Sequence, residues 1–211
     1  MDKKIIQELI AFVEGHMSID EFKSNYETNK GYKKLFNDKK PFEKNYARLE
    51  GSTVNEGLQI YFEGNYKGKY SQAPIVIGKL NVWHIIKTYL EYYNIPCTPT
   101  TKYEDDVKLR HAIQPSYVEI EDDEYFDVII ASAPEGLTEP QRKKWLKERI
   151  KSLFLYDKTY PRWIQSPEWP IVNGKPLVFR SQTKNTLEDE RVWYTFYDPD
   201  TNQETIVMQF H

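Results

Sequence analysis

The chain has 211 residues, 29 Lys and Arg against 32 Asp and Glu, a formal net charge of -3 and five tryptophans and sixteen tyrosines. Its length allows roughly 70% of the unfolded surface to be buried, so a core can form without staples. A mean hydropathy of -0.72 and the lack of any apolar run near the roughly 20 residues of a bilayer span exclude a membrane helix, and a pI near 5.9 disfavours general nucleic-acid binding.

Ile5, Ile6, Leu9, Ile10, Phe12 and Val13 recur at helical spacing over residues 2–14. Asp2 is placed to cap that helix and Gly15 to end it in a left-handed turn. Ser18-Ile19-Asp20-Glu21 is a capping box, in which hydroxyl and carboxylate each take up a free backbone N–H. It predicts a second helix with Phe22 and Tyr26 inward, followed by a short third with Tyr32, Leu35 and Phe36, ending at Pro41. Leu49–Phe62 reads as helix or strand, 64–71 as a polar loop, and Ala73–Ile77 as a strand or not. From Asn81 the helical period returns through Val82, Ile85, Ile86, Tyr89, Leu90 and Tyr93, stopped by Asn94-Ile95-Pro96.

Tyr103–Ile113 is predicted as a helix ending before Pro115. Asp122 is placed to cap another carrying Tyr125, Phe126, Ile129 and Ile130. Thr138 with Gln141 is a further capping box, and Pro140 sits in a first turn that needs no N–H. That helix is expected to reach about Tyr156, with Trp145, Leu146, Ile150, Leu153 and Phe154 on its apolar face.

Beyond Lys158 the texture becomes β-like. Ile171-Val172 and Leu177-Val178-Phe179 flank Asn173-Gly174, a tight-turn pair whose residues tolerate positive φ. Residues 191–197 and 204–210 are β-rich around a turn at 198–202. Both faces of 191–197 carry apolar or aromatic side chains, which predicts a strand covered on both sides inside a sheet. The pattern as a whole predicts an α+β fold, with a mostly helical N-terminal three quarters packed on a small antiparallel C-terminal sheet. It reads as a single domain over 1–211, the alternative being a helical module to residue 72 and an α+β domain over 73–211.

Chemistry-bearing motifs are sparse. His16, His84, His111 and His211 are isolated, and no HExxH or Cys/His ligand spacing occurs. Cys97, the one cysteine, excludes an internal disulfide and a cysteine-based zinc site, and fits a reducing cytoplasm. No nucleophile elbow or phosphate loop is present, and no cofactor or metal is expected. Glu119, Glu121, Asp122, Asp123, Glu124 and Asp127 crowd acids into nine residues. They suit either a solvated helix start or a patch that steers a basic protein partner. Residues 142–151 form an oppositely charged, largely basic helix face.

The most distinctive stretch runs from Tyr160 to Gln182. Four prolines stiffen it and Trp163 and Trp169 can anchor it. Trp163, Gln165, Glu168, Trp169 and Gln182 are therefore either a structural motif, hydrogen-bonding strand and turn backbone, or a small-ligand site. The run Pro-Arg-Trp-Ile-Gln-Ser-Pro-Glu-Trp-Pro (161–170) followed by Gly-Lys-Pro-Leu-Val-Phe (174–179) resembles the C-terminal signature of small bacterial proteins found in polymorphic-toxin and contact-competition loci. Tyr89-Leu90-Glu91, Ile95, Tyr103 and Gln114-Pro115-Ser116-Tyr117 extend the likeness over residues 80–182. The Trp-Ile-Gln piece is also similar to a second bacterial family with a Pro-x-x-x-Gln sheet motif. The first resemblance implies a cytoplasmic immunity protein that binds a toxin domain without turning over a substrate, and it implies no active-site residues. A small-ligand or enzymatic use of 163–182, or a homo-oligomeric interaction module, are the competing expectations.

Overall fold

The computed structural model describes residues 2–42, 52–62, 75–120, 123–184 and 191–210, with the backbone alone for 75–77, 123, 124 and 184. It is an α+β protein in which helices occupy the first three quarters and antiparallel strands the last. The chain divides into two compact units, Met1–Lys108 and Leu109–His211.

The first unit is helical. α1 (Lys3–Val13) starts at Asp2, whose carboxylate accepts from Lys4 N–H, and it ends where Gly15 adopts φ +83°. α2 (Ile19–Thr28) opens on the expected capping box: Ser18 N–H donates to Glu21 at 2.8 Å, and Glu21 N–H donates to Ser18 Oγ at 3.2 Å. α3 (Lys30–Leu35) and a 3-10 turn at Lys40–Phe42 follow. α4 (Val54–Phe62) settles the helix-or-strand ambiguity. Thr53 and Glu56 form a second reciprocal cap at its start, a Thr-x-x-Glu pair of the same kind as Ser18–Glu21.

α5 (Ile75–Tyr92) begins earlier than the Asn81 onset expected. Ile75–Ile77, three of the five residues of the strand-or-not run, is helical, because β-branching is a weak preference that a helix continuing into well-packed turns overrides. The polar loop at 64–71 and residues 73 and 74 lie outside the described residues. α1, α2, α4 and α5 enclose one core built on Leu9, Phe12, Phe22, Leu58, Ile85 and Tyr89. Within it, Phe12 stacks on Phe22 at 4.5 Å and Trp83 Nε1 donates to Val13 O at 3.0 Å.

α6 (Lys102–Ile113) crosses the boundary between the units. In the second unit, α7 (Asp123–Ala131) and α8 (Glu139–Leu153) lie against the sheet. At the start of α8, Gln141 Oε1 accepts from both the N–H and the hydroxyl of Thr138. α8 stops at Leu153, three residues short of expectation, because the chain leaves it to pair with a strand. β1 (Ile171–Val172) and β2 (Lys175–Pro176) form a two-stranded hairpin, with Asn173 at φ 50° and Gly174 at φ 71° in the turn.

β3 (Val178–Lys184), β4 (Arg191–Tyr197) and β5 (Glu204–Phe210) form an antiparallel sheet in that order. β4 is central, as its composition predicts, but its coverage is one-sided. Val192, Tyr194 and Phe196 are buried with Phe126, Leu146, Ile150 and Phe154 of the helical side, whereas Trp193, Thr195 and Tyr197 are half-buried on an open face. Aromatic character on that second face reflects partial exposure rather than a second covering layer.

Candidate functional site

The prolines and tryptophans of 160–170 build a strap that lies on the buried face of the three-stranded sheet, and each strand contributes one side chain to hold it. From β3, Gln182 Oε1 accepts from Arg162 N–H at 2.7 Å. From β4, the Tyr194 hydroxyl donates to Arg162 O at 3.0 Å and accepts from Ile164 N–H at 3.1 Å. From β5, Gln209 accepts at Oε1 from the N–H groups of Ile164 and Gln165, and donates through Nε2 to Ser166 O at 2.7 Å.

Gln182 and Tyr194 are register partners. Gln209 stands opposite Val192, two residues from Tyr194 on the same pleat face. Gln209 is fully buried, and a buried polar side chain is tolerated at this cost only when its hydrogen bonds are made. Neither Gln209 nor Tyr194 stood out in the sequence. No sequence signal points to Gln209, because the Ile206, Met208 and Phe210 phase is the more apolar one and would send the glutamine to solvent.

The tryptophans complete the clamp. Trp163 packs on Tyr194 with ring centroids 4.3 Å apart, and its Nε1 donates to Tyr117 O at 2.9 Å. Trp169, 6% exposed, meets Phe154 and Phe196 edge-on and donates from Nε1 to Leu177 O at 2.7 Å. Gln165 is exposed, and its Nε2 donates to Phe210 O at 2.6 Å. Of the five residues singled out in this stretch, four thus make backbone hydrogen bonds. Glu168, the fifth, is exposed and forms no hydrogen bond or ion pair with the described residues. Gln165 and Gln182 instead spend their amides on Phe210 O and Arg162 N–H.

One side of the strap carries an aromatic cluster. Tyr117 stacks on Tyr160 at 4.7 Å and 16°, and Tyr156 meets both rings edge-on. Burial raises the Tyr117 hydroxyl above its ordinary value, and the neighbouring tyrosines add to this. Tyr156 and Tyr160 remain 40% and 47% exposed, beside Leu155 at 50%. The backbone under them is fixed: Phe179 N–H donates to Leu155 O, and Asp157 N–H to Phe179 O, both at 2.9 Å.

Of the acidic stretch, the side chains of Glu119 and Asp127 are described. Asp127 accepts from Arg110, a guanidinium only 5% exposed that also lies over the Phe126 ring. Glu119 is half-buried. Asp123 and Glu124 open α7, where acids favour the positive end of the helix dipole. Glu121 and Asp122 lie outside the described residues. On α8, Lys143 pairs with Glu139 and Lys151 with Glu148, and Lys144, Lys147 and Arg149 are exposed.

The first unit has an open cleft of about 820 Å³, lined among others by Asp2, Lys34, Asp38, Lys40, Tyr89 and Tyr93. There the Tyr93 hydroxyl donates to Asp38, a bond that raises the phenol and helps hold the carboxyl below its usual range. Burial pushes Tyr89 up to about 12 and raises the half-buried Cys97 thiol, the opposite of what a reactive thiolate requires. Burial also lowers His84, whose ring packs against Trp83. Among the described residues no group of three or more His, Cys, Asp or Glu side chains is placed to hold a metal ion, and no helix is long and apolar enough to cross a membrane. Comparison of the chain with protein-family models, with curated proteins and with solved structures gives no match.

Proposed function

We propose that this chain works by binding another protein, as a cytoplasmic immunity protein that neutralises a cognate toxin domain. The observation that carries the reading is the clamped strap beside an exposed aromatic surface. Three strands spend Gln182, Tyr194 and Gln209 on fixing a proline-rich backbone, and Leu155, Tyr156 and Tyr160 stand exposed along its flank. Tyrosine on a stiff backbone supplies large contact area at low entropic cost, the chemistry of interface anchors. The likeness of residues 161–179 to immunity-type signatures supplies the class of partner.

Two further features support binding over turnover. The motif residues with hydrogen-bonding side chains in the strap are engaged with backbone, apart from Glu168. Burial shifts the Tyr89 phenol and the Cys97 thiol away from their reactive forms. Co-expression with the product of the neighbouring gene tests the proposal. The expected result is relief of that product's toxicity and a stable complex on size exclusion, lost when Tyr156 and Tyr160 are both changed to Ala. Independent migration of the two proteins, with toxicity unrelieved, would overturn it.

A further inference from the structure

The two edges of the three-stranded sheet are treated differently. Along β3, the chain leaving α8 runs beside the strand: Tyr156 bridges Phe179 in parallel, and the N–H and C=O of Phe179 are both taken up by residues 155–157. Along β5, the bond from Gln165 Nε2 to Phe210 O is, among the described residues, the only one that reaches the strand's backbone from outside the β4 ladder and the 198–203 turn. β5 is seven residues long, unbulged, and free of Pro, Lys and Arg, the devices that usually blunt an edge. Its open face also carries Ile206, Met208 and Phe210 at 61%, 44% and 57% exposure.

We propose that β5 is a self-association edge, on which two copies of the chain pair antiparallel about a two-fold axis at Val207 and join two sheets into one of six strands. The inference is independent of the proposed function. A second copy fits because the strand is complementary to itself in this register. Val207 meets its own mate, Ile206 of each copy stands opposite Met208 of the other, and Thr205 stands opposite Gln209. The two open faces then share one apolar row of six side chains.

The charges agree as well. Glu204, already paired with Arg180, comes opposite Phe210 of the other copy, whose neighbour on β4 is Arg191, so no like charges meet. Each of the three side chains leaves on the order of 100 Å² exposed. Pairing at the edge covers only the flanks of these side chains, so even with the backbones of two strands the contact stays below the roughly 1,000 Å² of a standard specific interface. That area suits a concentration-dependent dimer rather than an obligate one. Tyr156 and Tyr160 lie toward the β3 edge of each sheet and are not consumed by it.

Sedimentation velocity on the full chain over a micromolar to submillimolar range tests this. The expected wild-type mass rises with concentration towards twice the 25.2 kDa of one chain. The double substitution I206K/M208K sets lysine against lysine across the two-fold and is expected to hold the mass at one chain. I206K/M208E sets lysine against glutamate and is expected to restore the dimer. Far-UV circular dichroism of both variants, whose changed side chains are exposed, shows that each is folded. A wild-type chain that stays monomeric overturns the proposal, including one that instead takes up an extended peptide at this edge. So does a dimer that persists in I206K/M208K.

Discussion

Replacing Gln209 by Leu tests whether the strap is held by the sheet. The substitution keeps the side chain's bulk and removes both its acceptor and its donor. Ile164 N–H retains the Tyr194 hydroxyl, but Gln165 N–H and Ser166 C=O lose their partner. An unsatisfied buried polar group costs about 1–3 kcal/mol. Two such groups therefore cost about 2–6 kcal/mol, and lifting of the strap into water caps the loss near the middle of that range, about 2–4 kcal/mol. At about 2–4 °C per kcal/mol for a chain of this length, Tm is expected to fall by about 5–15 °C. Urea unfolding followed by tryptophan fluorescence reads the loss directly, since Trp163 and Trp169 sit on the strap. Gln182→Ala is the control. Its side chain is exposed and makes one bond, so its cost is expected to stay below about 1 kcal/mol. A Gln209→Leu protein within about 0.5 kcal/mol of wild type would refute the clamp.

The remaining expectations concern backbone, charge and pH. Gly174→Ala forces a side chain into φ 71° and is expected to cost about 1–2 kcal/mol, although an added Cβ meets nothing within 4 Å; Gly78→Ala, inside α5 and equally uncrowded, is expected to stabilise by about 0.5–1 kcal/mol, and paired urea titrations would show the opposite signs. Asp127→Ala weakens the pairing of the buried Arg110 guanidinium; Asp127 is itself 55% exposed, so an expected loss of about 1–2 kcal/mol lies well under that of a fully buried pair. Burial raises Tyr89 to about 12 and also raises Tyr32 and Tyr194, so the folded chain holds these protons more tightly than the unfolded one. Their contribution to stability is complete below about pH 10 and is lost as pH rises towards 12. Urea midpoints measured across that window are expected to fall, less steeply in Tyr89→Phe; a flat profile would contradict the burial argument.

Much of the fold could be read locally because its signals are local. The Ser18–Glu21 and Thr138–Gln141 pairs mark helix starts within four residues, and Asn173-Gly174 marks a turn within two. The same grammar at Thr53–Glu56 would have resolved Val54–Phe62 as a helix. Ile75–Ile77 read ambiguously because a β-branched triplet carries less energy than the packing of the helix it enters. α8 ended early for a reason no periodicity holds, the docking of residues 155–157 along β3.

Legibility of the candidate site divides in the same way. The unusual character of 160–170 was plain from its composition. Its fastening was not, since Gln209 and Tyr194 lie 30–45 residues from the groups they hold. The acid cluster shows the converse, for density along the chain says nothing of a partner such as Arg110, 17 residues from Asp127.

Hydrogen exchange of the chain, alone and in the presence of the neighbouring gene's product, tests most directly whether it acts by presenting a fixed surface to another protein. The expected result is added protection concentrated at residues 155–160, with the strap at 162–166 already slow to exchange in the free chain. Unchanged exchange at 155–160 in a formed complex, or a strap that exchanges at the rate of an open loop, would contradict it.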